Sequence, residues 1–339
     1  MVAGAGKSHA ETAPEADAIM SSADATVVTG GGGFIGRALT ARLAALGRPV
    51  VAVVRRPVAL GQGIDARAVG EISATTAWPR LLAGARAVVH LASRAHQPAG
   101  LAPQRWIDEE VALGAALARA AAAAGVERVI LMSSIKVLGE GAGERAYRAD
   151  EPAAPEDEYG LAKWSLEAAM EMALRDRPAL TVLRPPLVYG PGVKANFLAL
   201  LRLIDSGLPL PFAAIANRRS LAFIDNLVDL IIAALDHPDA GGTFLVRDDE
   251  DVSTPELMRR IARQLGRPAR LFPCPAVLLR QAARIAGRTS AMERLLGSLR
   301  IDDSATRHRF GWQPRVALDD ALDATCRWYR WRAAAAEMP

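Results

Sequence analysis

Three side chains of the sequence have the types and the spacing needed for proton transfer. Tyr159 and Lys163 are four residues apart in "DEYGLAKWSLE", so a helix there would place both on one face, where they can meet one ligand. An ammonium group stabilises a nearby phenolate, so we expect Lys163 to lower the pKa of Tyr159 from about 10 toward neutral pH. Ser134, in "MSSIKVLG", ends the preceding predicted strand and offers its hydroxyl to the same substrate oxygen. The three residues predict acid–base chemistry on a substrate oxygen.

A glycine-rich turn lies between the first predicted strand and the first predicted helix. In "TVVTGGGGFIGRAL", Gly30, Gly33 and Gly36 form a G-x-x-G-x-x-G pattern, and Phe34 and Ile35 begin the helix. Bare backbone permits a tight turn, the approach of a pyrophosphate to the helix N-terminus, and close packing of helix on strand. A second strand ends about 20 residues further on, which is the context that a dinucleotide site requires. These five residues are therefore predicted to bind a dinucleotide cofactor.

The end of the second predicted strand indicates which dinucleotide binds. NAD-selective sites usually place an acid there for the ribose 2′-hydroxyl, whereas "VVAVVRRP" offers Arg55 and Arg56. Two guanidinium groups suit a 2′-phosphate, so NADP is predicted and NAD stays possible. The alternative is a solvated arginine pair at a strand end. Glu71 and Ile72, in "VGEI" after the third predicted strand, are further cofactor candidates, with Glu71 accepting a hydrogen bond from the adenine amine.

Short β-branched runs alternate with alanine- and leucine-rich stretches along the first half of the chain. The runs are "ATVVTG", "PVVAVVRR", "RAVGEI", "RAVVHLAS", "ERVILMSS" and "LTVLRPP". Continuously apolar strands are typical of a parallel sheet buried on both faces. The pattern predicts an α/β fold with a Rossmann doubly wound parallel sheet over residues 25–188. Residues 189–339 are predicted to form mainly a smaller C-terminal substrate-binding cap, with helices near 222–236 and 254–265 and some segments returning to the sheet, and residues 1–24 a disordered tail.

Composition excludes several classes of protein. The formal charge is +4, but the basic residues are spread along the chain, which argues against nucleic-acid binding. Two cysteines cannot build a disulfide framework, and the five histidines lack metal-ligand spacing, so we expect a cytoplasmic protein without a metal. No apolar stretch approaches the roughly 18 residues of a membrane span, so stable membrane insertion is not expected. The C-terminal "CRWYRWR" either packs on the body or touches a membrane surface.

Together these motifs resemble those of extended short-chain dehydrogenases/reductases, in the branch of nucleotide-sugar 4-epimerases and 4-ketoreductases. The resemblance covers nearly the whole chain, through "TGGGGFIG", "AVVHLAS", "MSSIKVLG", "YGLAK", "LRPPLVYGPG" and "RSLAFIDNLVDLI". It implies a Rossmann domain that binds NAD(P), a cap that binds a nucleoside-diphosphate sugar, and hydride transfer between sugar C4 and the nicotinamide.

The resemblance also implies roles for individual residues. Tyr159 would be the acid/base, Lys163 its electrostatic partner and ribose anchor, and Ser134 the hydroxyl that positions the C4 oxygen. Further residues are implied to line the cofactor, namely Leu91, Ala92, Ser93, Pro186, Tyr189 and Pro191, or to meet the substrate, namely Lys136, Asn196 and Arg219. Lys194 either pairs with a substrate phosphate or faces water.

Two departures from the family pattern bear on the reaction. Sugar-nucleotide 4,6-dehydratases of this superfamily carry Thr-Asp-Glu where this chain has Ser134, Ile135 and Lys136, which argues against a dehydratase. Many relatives place an asparagine that supports a proton relay in the helix that reads "EEVALGAAL" here, and Val111 is nearest that position. We therefore expect another route of proton supply, or a reduced activity.

The same groups serve a reductase and an epimerase differently. An epimerase retains one NAD, whereas a reductase consumes a hydride at each turnover and draws on NADPH. Arg55 and Arg56 therefore favour a 4-keto-6-deoxy-sugar reductase of surface polysaccharide synthesis, acting on a UDP-linked hexose or N-acetylhexosamine. The alternatives are a UDP-glucose or UDP-N-acetylglucosamine 4-epimerase and, in another class, a non-catalytic NADP-binding structural or sensing protein. A homodimer is expected if the helices near 112–124 and after Tyr159 pair with a second copy rather than with their own sheet.

Overall fold

A parallel sheet forms the centre of the computed structural model, which describes residues 24–93, 102–141, 143, 145–175 and 178–337. The predicted tail, residues 1–24, lies outside these ranges apart from Asp24. The strands are β1 (Ala25–Thr29), β2 (Val50–Val54), β3 (Ile64–Ala68), β4 (Ala85–His90), β5 (Arg128–Met132), β6 (Ala146–Tyr147), β7 (Ala179–Arg184), β8 (Leu187–Tyr189), β9 (Leu221–Phe223), β10 (Gly242–Leu245) and β11 (Arg300–Ile301).

Helices cover the sheet and build the cap. They are α1 (Phe34–Ala45), α2 (Trp78–Leu82), α3 (Pro103–Ala123), α4 (Glu158–Leu174), α5 (Ala195–Asp205), α6 (Ile224–Asp236), α7 (Thr254–Leu265), α8 (Ala276–Ile285), α9 (Thr289–Leu296), α10 (Ser304–Phe310) and α11 (Leu318–Glu337), with a short 3₁₀ helix at Ile135–Val137. None of them, within the described ranges, is long and apolar enough to cross a membrane.

The central sheet has seven strands in the order β10-β7-β5-β4-β1-β2-β3, and every neighbouring pair is parallel. Every residue of β1 and of β2 is buried, as a sheet covered on both faces requires. The strand order reverses between β1 and β4, and such a switch point opens a crevice at the carboxyl ends of the strands. The predicted doubly wound α/β fold is confirmed.

Local boundaries differ from prediction at one strand. The third strand was expected in "RAVGEI", but β3 ends at Ala68, and Glu71 and Ile72 lie in the turn that follows. Gly70, in the same turn, has a φ of +73°, a conformation that ends an extended strand and that glycine adopts freely. The helices expected near 222–236 and 254–265 are α6 and α7.

Segments after β8 divide between the sheet and the cap. β10 pairs with β7, and α6 packs its apolar face on the sheet. α5, α7 and α11 share a separate apolar core that includes Phe197, Ile261 and Leu322. In α11, Trp328 packs against this core while Trp331 is 68% exposed. The C-terminal aromatic stripe therefore serves mainly to fasten α11 to the cap.

A buried ion pair fastens α4 to the sheet. Glu167 in α4 and Arg184 at the end of β7 are 6% and 7% exposed. Arg184 donates from Nη2 to Oε2 of Glu167 at 2.5 Å and from Nε to Oε1 at 3.0 Å, and the hydroxyl of Ser133 donates to the same Oε1. This bidentate geometry satisfies both charges away from water. The pair was not predicted, because nothing local in the sequence links the two residues.

We expect Arg184→Met to lower the free energy of unfolding by about 3–5 kcal/mol, because it leaves the Glu167 carboxylate buried without a partner. The double variant Glu167→Met, Arg184→Met should lose less, since neither charge remains. Urea denaturation measures both. Arg105→Met, which removes an exposed pair with Glu109, is the control and should change stability by less than about 0.5 kcal/mol. A single variant that matched the wild type would show that the ion pair contributes nothing.

Candidate active site

The glycine turn lies in the crevice between β1 and β4. Gly30 has a φ of +71°, and a Cβ added there would lie 2.9 Å from the backbone nitrogen of Ala92, just after β4. A Cβ on Gly36 would lie 2.2 Å from the carbonyl oxygen of Gly30. Only glycine permits this packing of turn, helix and sheet.

The start of α1 fits a pyrophosphate. Gly33 is its N-cap residue and offers no side-chain hydrogen bond, and the first turn, which begins at Phe34 and Ile35, contains no acidic residue. The unpaired N–H groups and the positive end of the helix dipole therefore meet no protein anion there. The residues present fit a dinucleotide cofactor, as the sequence predicts.

Arginines surround the outer end of this turn. Arg55 and Arg56 are exposed directly after β2, and neither has an ion pair or side-chain hydrogen bond with any other residue in the described part of the chain. A Cβ on Gly32 would lie 3.5 Å from Val54 at the end of β2, and the Nε of Arg37 donates to the carbonyl of Gly32 at 3.1 Å. Arg37 was not predicted, although its place directly after the last glycine of the motif could have indicated it.

The remaining predicted cofactor residues lie at the carboxyl end of the sheet. The backbone N–H groups of Leu91 and Ala92 each donate to the hydroxyl of Thr29 at 3.2 Å, and Ser93 follows them, partly buried. Ile72 packs partly against the core, while Glu71 is exposed and lines a surface groove with residues of α2. Their contact with a cofactor stays a prediction.

The predicted acid–base residues meet at the junction of α4 and β5. Asp157 begins α4, because its side chain accepts a hydrogen bond from the N–H of Gly160 at 2.7 Å. Tyr159 lies in the first turn, and the Nζ of Lys163 is 5.9 Å from the centre of its ring. Lys163 is 5% exposed and donates to the carbonyl of Met132 at 3.1 Å.

Ser134 reaches the same junction from the strand side. It follows β5 and begins the short 3₁₀ helix, where its Oγ accepts from the N–H of Lys136 at 3.3 Å. A Cβ on Gly160 would lie 2.5 Å from the carbonyl of Lys136, so the first turn of α4 packs directly on this segment. The structure thus brings Ser134, Tyr159 and Lys163 to one edge of the sheet.

Comparison with known proteins assigns the chain to a family. Residues 26–246 match the NAD dependent epimerase/dehydratase family. The chain belongs to this family. The resemblance to extended short-chain dehydrogenases/reductases of the nucleotide-sugar epimerase and reductase branch is thereby confirmed, and the chain is an enzyme of that branch.

Individual relatives extend the likeness over most of the chain. A UDP-glucose 4-epimerase of Vibrio cholerae is 38% identical over 311 residues, which cover 89% of this chain and 94% of the relative. The structure of MoeE5 with UDP-glucose and NAD is similar with a TM-score of 0.73 and 24% identity over 91% of this chain and 99% of that one. A UDP-glucose 4-epimerase of Thermotoga maritima, with UDP-glucose, has a TM-score of 0.73 and 22% identity over 91% of this chain and 99% of that one. At these identities the two structures show the fold.

The electrostatics of Tyr159 differ from expectation. Burial raises its pKa to about 12, and the carboxylates of Glu110 and Asp157 raise it as well. Burial also lowers the pKa of Lys163, against the opposing influence of Glu110 and Glu167. The predicted lowering of the Tyr159 pKa by Lys163 is therefore wrong for the protein alone, because loss of solvation outweighs an ammonium 5.9 Å from the ring.

Glu110 lies close enough to Tyr159 and Lys163 to influence both of their pKa values, and it was not predicted from the sequence. It is 6% exposed on α3, one turn before Gly114, where a Cβ would lie only 2.1 Å from Leu166 of α4. This close approach of the two helices places Glu110 opposite the Tyr159–Lys163 turn. Its neighbour Val111, expected nearest the relay position, packs with Tyr159 against the apolar cluster of Trp106, Ile107 and Ala162. Glu110 continues the buried stripe that runs from Trp106 to Leu113 and Leu117, which could have identified it.

Lys136 has two carboxylate partners in this structure. Its Nζ pairs with Glu140 at 2.5 Å and with Asp157, and it lies 6.0 Å from the centre of the Tyr159 ring. The predicted contact of Lys136 with substrate would therefore compete with two ion pairs. The Lys136 ammonium is thus one of the charged groups near the Tyr159 ring.

Arg219 approaches the Lys136–Glu140 pair from the cap. Its Nη1 donates to the carbonyls of Arg294 at 2.6 Å and Gly297 at 2.9 Å. Burial lowers its pKa, and the Glu140 carboxylate acts in the opposite direction, so Arg219 and the Lys136–Glu140 pair are close enough to interact. This placement agrees with the predicted role of Arg219 on a substrate diphosphate, which remains a prediction.

The remaining predicted site residues, which lie before and within the first part of the cap, differ in how exposed they are. Asn196 is exposed in the first turn of α5, next to Ala195, which has a φ of +48°, and Lys194 before it is also exposed. Pro186 is buried between β7 and β8, and Pro191 is exposed.

Tyr189, which was predicted to line the cofactor, directs its ring into the cap core, and its contact with a cofactor stays a prediction. Its side chain is fully buried, its ring stacks on Phe197 with centroids 5.0 Å apart, and its hydroxyl donates to Asp248 at 3.1 Å. Burial raises the pKa of Tyr189 well above 10, as does the Asp248 carboxylate. The ring is thus a part of the cap core.

His90 lies at the end of β4, close enough to Lys163 for the lysine charge to affect the pKa of the imidazole. Its Nδ1 is 2.7 Å from the hydroxyl of Thr29, and its Nε2 is buried without a hydrogen-bond partner in the described part of the chain. Burial and, to a smaller extent, the charge of Lys163 lower the pKa of His90 to about 3, so the imidazole is neutral. The described residues contain no cluster of three or more histidine, cysteine, aspartate or glutamate side chains suited to a metal ion.

We expect Glu110→Gln to lower the pKa of Tyr159 from about 12 toward its ordinary value, because removal of the carboxylate charge makes the phenolate less costly. Alkaline titration of tyrosinate absorbance measures this pKa, as the difference between each protein and its Tyr159→Phe counterpart. Glu109→Gln, at the exposed neighbouring position, is the control and should leave the pKa of Tyr159 unchanged. An identical titration for Glu110→Gln and wild type would contradict the assignment.

Proposed function

We propose that this family member reduces the C4 carbonyl of a nucleotide-linked 4-keto-6-deoxy sugar, with NADPH as the reductant. The observation that carries the proposal is the pair of exposed arginines at the end of β2, Arg55 and Arg56, which have no side-chain partner among the described residues. Guanidinium groups there suit a ribose 2′-phosphate through charge-assisted hydrogen bonds. UDP as the carrier is supported by the Vibrio cholerae relative, which is named for UDP-glucose.

Several parts of the chain would hold the cofactor. The backbone of Gly30, Gly33 and Gly36 and the start of α1 would receive the pyrophosphate, and Arg55 and Arg56 the 2′-phosphate. Lys163 would hydrogen-bond the nicotinamide ribose. When bound, NADPH supplies the hydride that the C4 carbon receives.

The proton comes from the chain itself. Tyr159 would donate its phenolic proton to the C4 oxygen as charge develops there, and the hydroxyl of Ser134 would hydrogen-bond the same oxygen. The Lys163 ammonium, 5.9 Å from the ring centre, stabilises the phenolate that remains. Lys163 is buried and Ser134 and Tyr159 are half-buried, and this partial exclusion of bulk water strengthens each of these interactions.

The raised pKa of Tyr159 suits the role of proton donor that reduction requires. A tyrosine with a pKa near 12 holds its proton at neutral pH and is ready to donate it. Oxidation of a C4 hydroxyl, the first half of an epimerisation, requires the opposite state, a phenolate that accepts a proton. Glu110 and Asp157 disfavour that phenolate, so the protein alone favours the donor state.

A 4-epimerase of UDP-glucose or UDP-N-acetylglucosamine is the second candidate. The observation that favours it is the 38% identity to the Vibrio cholerae UDP-glucose 4-epimerase over 94% of that relative. Ser134, Tyr159 and Lys163 would serve both halves of that reaction, with Tyr159 accepting a proton and then returning it. An epimerase would keep its NAD bound through the turnover.

We expect freshly purified, denatured enzyme to release far less than one nucleotide per chain, because a reductase must exchange its cofactor. The identity and amount of released nucleotide, measured by chromatography, test this expectation. The same enzyme should then oxidise NADPH with a 4-keto-6-deoxy nucleotide sugar, and Tyr159→Phe should not. Near one NAD per chain would overturn the reductase and would be followed by assays with UDP-glucose and UDP-N-acetylglucosamine.

We expect the double variant Arg55→Ala, Arg56→Ala to bind NADPH about ten- to hundredfold more weakly, with NADH affinity little changed, because it removes charged hydrogen bonds to the 2′-phosphate alone. Titration of the two nucleotides, followed by their fluorescence, measures the ratio of affinities. Arg42→Ala is the matched control, since Arg42 is exposed on α1 and faces Asp229 on α6. A double variant with wild-type NADPH affinity would remove the reason for assigning NADPH.

A further inference from the structure

The cap helix α8 carries apolar side chains on the face that points to solvent. Val277, Leu278 and Ile285 are 62%, 53% and 91% exposed, whereas Leu279 and Ala283 are buried. At about 100° per residue, the three exposed side chains share one side of the helix and the two buried ones share the other. α8 therefore carries apolar side chains on both sides, with the exposed Gln281 between Val277 and Ile285, and packing on the cap accounts for only one side.

The exposed apolar side continues into the segment before the helix. Phe272 is 46% exposed, and the chain from Leu271 runs beside Leu210, to which Phe272 donates a backbone hydrogen bond at 3.0 Å. We call Phe272, Val277, Leu278 and Ile285 the α8 face. Scattered exposed apolar residues are normal on proteins, but four within 14 consecutive residues form a local patch.

Positive charge surrounds the α8 face. Residues 267–300 contain seven arginines and a single acidic residue, Glu293. Three of the arginines form ion pairs: Arg280 with Glu293, Arg267 with Asp205 and Arg300 with Asp251. Arg284 and Arg288, beside Ile285 and after the helix, have no side-chain partner among the residues that the structure describes. Their charge is therefore available to an anionic surface.

Apolar side chains flanked by uncompensated arginines are the combination found on helices that lie at a membrane interface. Aliphatic groups gain by entering the boundary of the acyl chains, and arginines gain by meeting anionic headgroups. A nucleic acid would use the arginines but would offer the aliphatic groups little apolar surface. We propose that the α8 face is a peripheral docking surface for a membrane that carries anionic lipid headgroups.

This docking surface is connected to the substrate side of the cap. α9 follows α8, and the carbonyls of Arg294 and Gly297 at its end accept the hydrogen bonds from Arg219. Docking through α8 would thus hold the cap, including Arg219, near the bilayer surface. The inference does not depend on whether the enzyme is a reductase or an epimerase.

Vesicle flotation of the full-length protein tests the proposal. Binding is expected to vesicles of phosphatidylcholine mixed with phosphatidylglycerol, little to phosphatidylcholine alone, and less as salt is added. Ile285→Ser should weaken binding about tenfold or more, and the pair Arg284→Gln, Arg288→Gln should remove the preference for anionic lipid. Met172→Ser, which changes a side chain 74% exposed on α4, is the control and should bind as wild type.

Three results would overturn the proposal. The first is no binding to either vesicle, and the second is equal binding by Ile285→Ser and wild type. The third is a wild-type dimer that the α8 variants lose, measured by analytical ultracentrifugation, which would assign this face to a second copy of the chain. The substituted side chains are exposed, so circular dichroism should confirm that each variant is folded. Because flotation needs no turnover, its outcome is independent of the proposed reaction.

Discussion

The position of Tyr159 depends on two buried charges of α4 that are fastened to the sheet. Lys163 donates to the carbonyl of Met132 at the end of β5, and Glu167, one turn later, binds Ser133 and Arg184. Because both charges lie on one face of the helix, any rotation of α4 would leave two groups buried without partners, which costs several kcal/mol. The ion pair and the lysine therefore fix the register of α4, and with it the place of Tyr159 beside Ser134.

Burial has a larger effect on the pKa of Tyr159 than the charged groups around it have. The ammonium groups of Lys163 and Lys136 lie 5.9 and 6.0 Å from the ring centre, yet the pKa of Tyr159 is raised to about 12, since solvation is lost and Glu110 and Asp157 oppose the phenolate. Glu110 is able to act because Gly114 lets α3 approach α4 closely. A packing requirement between two helices thus influences the electrostatic state of the tyrosine that is proposed to transfer a proton.

Local patterns in the sequence predicted the strands and helices that carry the site. Contacts between distant parts of the chain determine which side chains are buried or face the site, and these were not predicted. The glycine motif, the apolar runs and the Tyr159–Lys163 spacing each depend on neighbouring residues, and the sheet, α1 and α4 follow them. The burial of the Tyr189 ring was not foreseen, because a motif shows where a strand ends and not which core receives the ring. Glu110 was not predicted, because its place near Tyr159 depends on how α3 packs on α4, which no local pattern shows.

Cofactor affinity and cofactor choice reside in different parts of this fold. The glycine turn and the start of α1 offer backbone groups that would treat NAD and NADP alike, because both carry the same pyrophosphate. Under the proposed use of NADPH, the choice of nucleotide would fall to exposed arginines at the rim, where water weakens each charge interaction. Such a rim can create a preference without excluding either nucleotide. A preference for NADPH and the release of the nucleotide after each turnover are therefore separate properties, and it is release that divides a reductase from an epimerase built on the same Ser134, Tyr159 and Lys163.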